Sequence, residues 1–300
     1  MKLETLLETA TQYPGKVVAV AAAEDEEVIE AVALAIERKI ASFHLYGNEV
    51  EIRRLLSKRG IEKQSPIKVF HANTKERAAE LAVKAVSTRD ADVLMKGNLS
   101  TSTILKAVLN KEYGLRTGRI LSHVAVFEIP GFERYTIVTD AAMNIAPELK
   151  EKAQIVQNAV DVARSIGIDM PKVAAITAIE IINPDMKATL DAAALTQMQA
   201  RGQITNCIVD GPLALDNAVS FEAAEHKGIT SVVAGQADIL LVPTIEVGNV
   251  LYKSLIYFAK AKVGAIIAGA KAPIVLTSRA DTAESKLYSL ALAVCSVCNK

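Results

Sequence analysis

The 300-residue chain has no tryptophan, only seven tyrosines and six phenylalanines, three cysteines and four histidines. Three cysteines are too few for a disulfide framework, which fits a reducing, cytoplasmic setting. Cys295 and Cys298 form a C-x-x-C pair near the end of a predicted helix. No second pair accompanies them, and a structural zinc site needs four ligands. His44, His71, His123 and His226 are widely spaced, with no partner at helical spacing, so the sequence offers no metal constellation. Charge of either sign is not in excess: 34 basic residues balance 34 acidic ones. No bulk field therefore draws the chain to nucleic acid or to an anionic membrane, and any anionic ligand must be held by local groups. No run reaches the ~18 apolar residues of a membrane span. Residues 1–16 carry acids and polar groups where a secretory leader would carry an apolar core. The G-x-S-x-G elbow, the Rossmann G-x-G-x-x-G and the P-loop are all missing, which disfavours covalent catalysis and nicotinamide binding.

What remains is an aliphatic chain, 51% hydrophobic and rich in Ala, Val, Ile and Leu, the composition of buried parallel strands covered by helices. Short apolar runs alternate with helical patterns almost throughout. Strands are expected at residues 16–23, 42–46, 67–72 and 91–95, with helices over 24–39, 51–59, 73–86 and 100–110. Asn73 and Glu76 have capping-box spacing. Residues 123–129 and 134–139 read as a hairpin around Pro130-Gly131, and Pro147 opens a long helix to about residue 166. Further strands are expected at 173–177, 207–209, 239–242, 265–267 and 274–276, with a last helix over 282–295. The fold class is α/β, with mostly parallel sheet flanked by helices. The length favours two domains: residues 1–140 with 272–300, and an inserted second domain of residues 141–271.

Ligands of open α/β sheets sit at the carboxyl ends of strands, beside helix N-termini, so the polar residues there matter most. Lys96-Gly97-Asn98-Leu99-Ser100-Thr101 offers a turn glycine, a cation and capping hydroxyls, as either a phosphate cradle or a plain turn. Asp140-Ala141-Ala142-Met143-Asn144 allows close approach of a ligand, or is an Asx-turn leading into a helix. Asp210-Gly211-Pro212, with Asp216-Asn217 following, has the character of a turn. Gly248, at the start of a helix before Asn249, weakens that helix, so close packing or a ligand is the reason for it. Last come Ser278-Arg279 and Asp281, where a hydroxyl and a guanidinium meet a helix start. That is an anion grip, or a cap with a surface Arg.

Taken together and in order, MKGNLSTSTILKAVL, VTDAAMNIAP, VDGPLALDNAVS, ADILLVPTIEVGNVLYKSLIYFAKA and TSRADTAESKLYSLALA resemble the phosphate acetyl/butyryltransferase family, and most closely its butyryl-type members. The early AVAAAEDEEVIEAV resembles that family's start, so the likeness covers nearly the whole chain. It implies reversible transfer of an acyl group between coenzyme A and inorganic phosphate. It also implies an isocitrate/isopropylmalate dehydrogenase-like pair of domains with the site in the cleft between them, and a homodimer or larger homo-oligomer. By the resemblance, Ser278 and Arg279 are catalytic: Arg279 holds phosphate or acyl phosphate and Ser278 assists at the thiol or carbonyl; Asp281, close by, is taken as the catalytic base on its chemistry rather than on the family's register. Lys96, Gly97, Asn98, Ser100, Thr101, Asp140, Asn144 and Asn249 contact phosphate or coenzyme A, and no cofactor beyond the two substrates is expected. Two departures stand out. Acetyl-type members carry a proposed base, an Asp, seven residues after the Ser, where this chain has Ser285, leaving Asp281, Glu284 or no base. They also carry an Arg where Lys106 stands here, a role either weakened in the lysine, which lacks the bidentate fork, or moved to Arg116 or Arg119. The rivals are a phosphate acetyltransferase, a non-catalytic acyl-CoA or acyl-phosphate binding protein, and a metal-dependent dehydrogenase of similar shape.

Overall fold

A computed structural model describes residues 1–62, 66–276 and 282–298. The chain divides into two compact units, one of Leu3–Arg119 with Gly264–Lys300, the other of Met1–Lys2 with Ile120–Val263. The sequence-based expectation set the switches at 140/141 and 271/272. The hairpin accounts for the first difference: its second strand pairs in parallel with a strand near residue 240 and so belongs with the second unit.

In the first unit, β1 (Val17–Ala21), β2 (Ser42–Gly47), β3 (Ile67–His71), β4 (Val93–Lys96) and β11 (Ile274–Val275) run parallel in the order β3-β2-β1-β4-β11. Beyond β11, β10 (Lys262–Ala268) pairs antiparallel, with Ile267 opposite Ile274. The Val and Ala of β1 are almost wholly buried, as strands covered on both faces require. Four helix starts in this unit carry a side-chain cap. Asp25 accepts hydrogen bonds from the N–H groups of Glu27 and Val28 at the head of α2 (Glu26–Glu37), and Asn48 caps α3 (Glu49–Lys58). Thr74, not Asn73, caps α4 (Lys75–Ser87) by accepting from Arg77 N at 3.1 Å. Asn73 fails as the cap because its side-chain oxygen is bonded to His71. Ser100 caps α5 (Thr101–Val108).

Two helices meet at the end of this unit. α1 (Leu3–Thr11), absent from the sequence-based expectations, buries Leu3, Leu6, Leu7 and Ala10 at i, i+3, i+4 and i+7 against α11 (Ala283–Cys298). Each fully buried leucine contributes roughly 1.5–3 kcal/mol. α11 also packs on α2, where Lys286 is bonded to Glu27 at 2.7 Å.

The second unit is a sheet of β5 (Ser122–Glu128), β6 (Thr136–Thr139), β7 (Lys172–Ile176), β8 (Ile208–Leu213) and β9 (Ile239–Leu241) in the order β5-β6-β9-β7-β8. β5 and β6 are the antiparallel hairpin; the remaining pairs are parallel. α6 (Leu149–Ser165) starts at Glu148, whose N–H donates to Glu151 Oε2 at 2.8 Å. Pro147 therefore precedes the helix instead of opening it. α7 (Lys187–Ala200) follows β7; α8 (Leu215–Val219) and α9 (Phe221–His226) follow β8; and α10 (Ile245–Tyr257) follows β9. Asp210 lies inside β8, not at a strand end as its Gly-Pro neighbours suggested.

Candidate active site

In the first unit the strand order reverses direction at β1, with β2 on one side and β4 on the other. Such a switch point opens a crevice at the carboxyl ends, here the ends of β1 and β4. The two ends are clasped by backbone. Gly97 N donates to Ala21 O at 2.8 Å and Asn98 N to Ala22 O at 2.7 Å. A Cβ on Gly97 would stand 2.1 Å from Ala22 O and 2.7 Å from Ala21 O, so only glycine lets the two strand ends meet. Ala22 takes the left-handed conformation at φ 56°, which an L-residue adopts at a cost of roughly 1–2 kcal/mol.

The predicted residues of this loop come together there. Lys96 Nζ donates to Gly97 O and Leu99 O at 3.3 and 3.1 Å, so the ammonium is folded over its own loop. Asn98 accepts from Lys75 Nζ at 3.3 Å and donates to Glu24 O at 3.4 Å. Ser100 binds Ser102 and Thr103 through its hydroxyl, and Thr101 begins α5 and is exposed. The result is a helix N-terminus with hydroxyls and two lysines close by, a setting that attracts anions. β11 lies beside β4, with Val275 opposite Met95. Ser278, Arg279 and Asp281 lie outside the described residues. Beyond them, Ser285 N donates to Thr282 Oγ1 at 3.1 Å, and the Glu284 carboxylate accepts from the Tyr288 hydroxyl at 2.9 Å.

The second unit gathers the other predicted residues at the carboxyl end of β6 and β9. Asp140, 3% exposed, accepts from Ala142 N and Met143 N, both at 2.9 Å, and from Asn144 Nδ2 at 2.6 Å. Its oxygens thus form an Asx-turn. Asn144 also reaches Leu121 O at 2.8 Å. α10 closes on this turn: Asn249 Nδ2 donates to Ala141 O at 3.4 Å, and a Cβ on Gly248 would lie 2.6 Å from Asp140 O. Close packing is therefore the reason for this glycine. Beneath the turn, His123 is almost fully buried, its Nδ1 has no hydrogen-bond partner, and its ring meets Tyr252 of α10 edge to face. Burial pushes the imidazole pKa below its ordinary value, opposed by the Asp140 charge.

Other candidates fall elsewhere. Lys106 and Arg116 are exposed, and Asp216 is held by Lys227 at 3.4 Å. Among the described residues no three His, Cys, Asp or Glu side chains could hold a metal ion, and no helix is long and apolar enough to cross a membrane. A hollow of about 350 Å³ bounded by Glu30, Glu37 and Arg59 lies on the helices α2 and α3, away from the strand ends.

The family model described as "Phosphate acetyl/butaryl transferase" matches residues 75–294. The chain belongs to this family. A relative from Bacillus subtilis (strain 168) named "Probable phosphate butyryltransferase" is 61% identical over 98% of each chain. A "Phosphate acetyltransferase" from Thermotoga maritima is 49% identical over 97% of this chain and 98% of its own. The crystal structure of a branched-chain phosphotransacylase from Enterococcus faecalis V583 superposes with a TM-score of 0.83 at 38% identity, covering 94% of this chain and 99% of that one. As a member of the phosphate acetyl/butyryltransferase family the protein is a transferase, and the rivals without catalysis or with metal-dependent hydride transfer fall away.

Two features of the site escaped the sequence. Ala22 carries no chemistry in its side chain, and only its backbone angle marks it. Glu24, whose Oε2 is buried without a partner under Gly47, reads in sequence as one acid among several in the lead-in to α2.

Proposed function

We propose that the chain moves a butyryl or related short or branched-chain acyl group between coenzyme A and inorganic phosphate: butanoyl-CoA + phosphate = butanoyl phosphate + CoA. The near-full-length 61% identity to a probable phosphate butyryltransferase carries this reading. A phosphate oxygen attacks the thioester carbonyl carbon, a tetrahedral oxyanion forms, and it collapses with cleavage of the C–S bond. The thiolate leaves readily because a thiol pKa lies near ~8.5, and the nucleophile is already anionic. The protein's contribution is then orientation and stabilisation of the oxyanion, which suits a sequence without a nucleophilic Cys or His in a motif.

Arg279 grips phosphate, Ser278 assists at the thiol or carbonyl, and Asp281 takes the thiol proton in the reverse direction. The hydrogen bond that engages the Glu284 carboxylate supports Asp281 over its neighbour. The α5 N-terminus with Lys96, Gly97, Asn98, Ser100 and Thr101 receives phosphate groups, and Asp140, Asn144 and Asn249 shape the substrate's surroundings in the second unit. The reading includes an isocitrate dehydrogenase-like fold with a cleft site, no cofactor beyond the substrates, a cytoplasmic setting and a homodimer or larger assembly. Acetyl transfer is the second reading, favoured by the Thermotoga maritima relative.

Phosphate-dependent release of CoA from acetyl-, butyryl- and isobutyryl-CoA tests both. The four- or branched four-carbon chain is expected to give the highest kcat/KM, and Arg279→Ala to lower it at least ~100-fold in a folded protein. Release that is fastest with acetyl-CoA establishes the second reading. No phosphate-dependent release from any of the three overturns the proposal.

A further inference from the structure

His123 is a buried ionisable ring that the proposed reaction leaves unused. β5 and β6 pair Ala125 with Val138, so two steps toward the end of β6 His123 stands opposite Asp140. Directly opposed residues of an antiparallel pair project to the same face. α10 covers that face: the Tyr252 ring lies 5.7 Å from His123 and 5.3 Å from Phe127, centroid to centroid. α6 packs on the other face, where Asn158 reaches Ser122. The His123 side is polar at one place only. The residue is 8% exposed, and its Nδ1 is sealed without a hydrogen-bond partner. Nε2 is not sealed, and it is bonded to no group among the described residues. A neutral imidazole carries one N–H and one bare nitrogen. A sealed orphan N–H is the rarer defect, as it is for buried backbone amides, so the proton belongs on Nε2. Among the described residues Asp140 is the charge that acts on the ring, and burial outweighs it, which keeps the imidazole neutral at pH 7. The other charges on the elements of this face are Glu246 and Lys253 of α10 and Glu128 at the far end of β5. Asp140 itself is turned to its own loop, bonded to Ala142 N, Met143 N and Asn144 Nδ2. The ring is thus a neutral donor without an acceptor, at the carboxyl end of β6 and beside the loop that carries Asn144.

We infer that His123 is a further catalytic residue of the acyl transfer, donating its Nε2–H to the acyl carbonyl oxygen as that atom becomes the tetrahedral oxyanion. This role rests on the reaction proposed above. An uncharged donor selects this atom. Phosphate carries its charge before the reaction starts and calls for a cation. The carbonyl oxygen gains its charge only on the way to the intermediate, where a fixed donor acts most strongly. The proton stays on nitrogen throughout. The hydrogen bond shortens as phosphate adds to the carbon, and it relaxes when the C–S bond breaks and the carbonyl re-forms.

Steady-state kinetics and nitrogen NMR give the test. CoA release from butyryl-CoA and phosphate is measured at neutral pH for the wild type, His123→Phe and His123→Gln. Phenylalanine keeps a ring against Tyr252 and removes the donor, whereas glutamine restores an N–H near the Nε2 position. His123→Phe is expected to lower kcat about 100-fold. Its KM for butyryl-CoA should stay within ~3-fold of wild type, because the lost bond is made in the transition state. His123→Gln is expected to be at least ~10-fold faster than His123→Phe. A folded His123→Phe protein with kcat close to wild type overturns the role, as does a glutamine variant no faster than the phenylalanine one. If these variants fail to fold, His44→Gln/His71→Gln/His226→Gln leaves His123 as the only histidine, and its ring nitrogens are read directly. The proton is expected on Nε2, with a signal that moves on adding butyryl-CoA without phosphate and moves less with CoA alone. A proton on Nδ1, or equal responses to the two, overturns the role. A wild type that releases no CoA from any acyl-CoA sinks the proposed reaction instead, and the ring signal, which needs no turnover, still answers for His123.

Discussion

Single residues at the strand ends decide whether the loops can close. Gly97 is the sharpest case, because an added Cβ meets backbone oxygens of Ala21 and Ala22 at 2.7 and 2.1 Å, atoms that cannot rotate away as a side chain would. Gly97→Ala should therefore push the end of β4 off the end of β1, costing roughly 1–3 kcal/mol as overpacking does. Displacing the loop by about 1 Å should lower turnover ~100-fold. Ser100→Ala, which removes only the cap on Thr103 N, should cost about 1 kcal/mol and leave the path of the loop intact. Urea melts and CoA-release rates on the two variants check this, and wild-type stability and rate in Gly97→Ala would refute it. The same contrast explains what sequence reveals here. Gly97 and Ser100 announce a turn and a cap by residue type. Ala22 and Glu24 do not, because a left-handed angle in an alanine and a missing hydrogen-bond partner are properties of the fold.

At the scale of elements, alternation of apolar runs with amphipathic stretches was enough to place the strands, since parallel strands buried on both faces leave a continuous apolar trace. Helix starts were less legible. Asn73 and Thr74 are both good caps, and only the bond from Asn73 to His71 hands the role to Thr74. α1 went unread because nine residues are too few for a helix to hold by propensity, and its partner α11 is nearly the whole chain away. How elements are tied together also follows from burial. Lys152 of α6 reaches Asp191 of α7 at 2.7 Å with side chains 6% and 10% exposed, whereas Arg54 and Glu51 pair at 2.7 Å with side chains 58% and 41% exposed. Asp191→Ala leaves an ammonium buried without its main partner and should destabilise by about 3–5 kcal/mol. Glu51→Ala should cost less than ~1 kcal/mol. The double change Lys152→Met/Asp191→Leu should recover most of the first loss, because it removes both buried charges. Denaturant midpoints for the three variants decide it, and equal losses in the two alanine variants would contradict the burial argument.

For the molecule as a whole, the zero net charge leaves stability against pH to the few groups whose surroundings differ between folded and unfolded states. His123 and His44 both sit below their ordinary pKa of 6.5, in each case chiefly through burial. Asp140 opposes the shift at His123, while at His44 Lys68 adds to it and Asp90 opposes it. A histidine depressed in this way binds fewer protons in the folded chain than in the unfolded one only between its lowered folded pKa and the ordinary one, and stability rises with pH across that window. Its full contribution is present above about pH 6.5 and is lost as pH falls from there through the lower folded pKa. Asp238 has the opposite sign: burial raises its carboxyl above the ordinary 3.8, so its stabilising effect belongs to acid and disappears as pH rises through the carboxylate range. The acids paired with lysine or arginine, such as Glu80 with Lys84 and Arg77, lose their contribution only as pH falls into that same lower range. Between pH 8 and 5.5 the two histidines, one in each unit, therefore set the slope. Thermal melts at pH 8, 6.5 and 5.5 should show the wild type losing stability chiefly over the last interval. The His44→Asn/His123→Asn variant, whatever its stability at pH 8, should lose distinctly less over that interval. A variant whose melting temperature falls in parallel with the wild type would assign the acid sensitivity to groups other than these two rings.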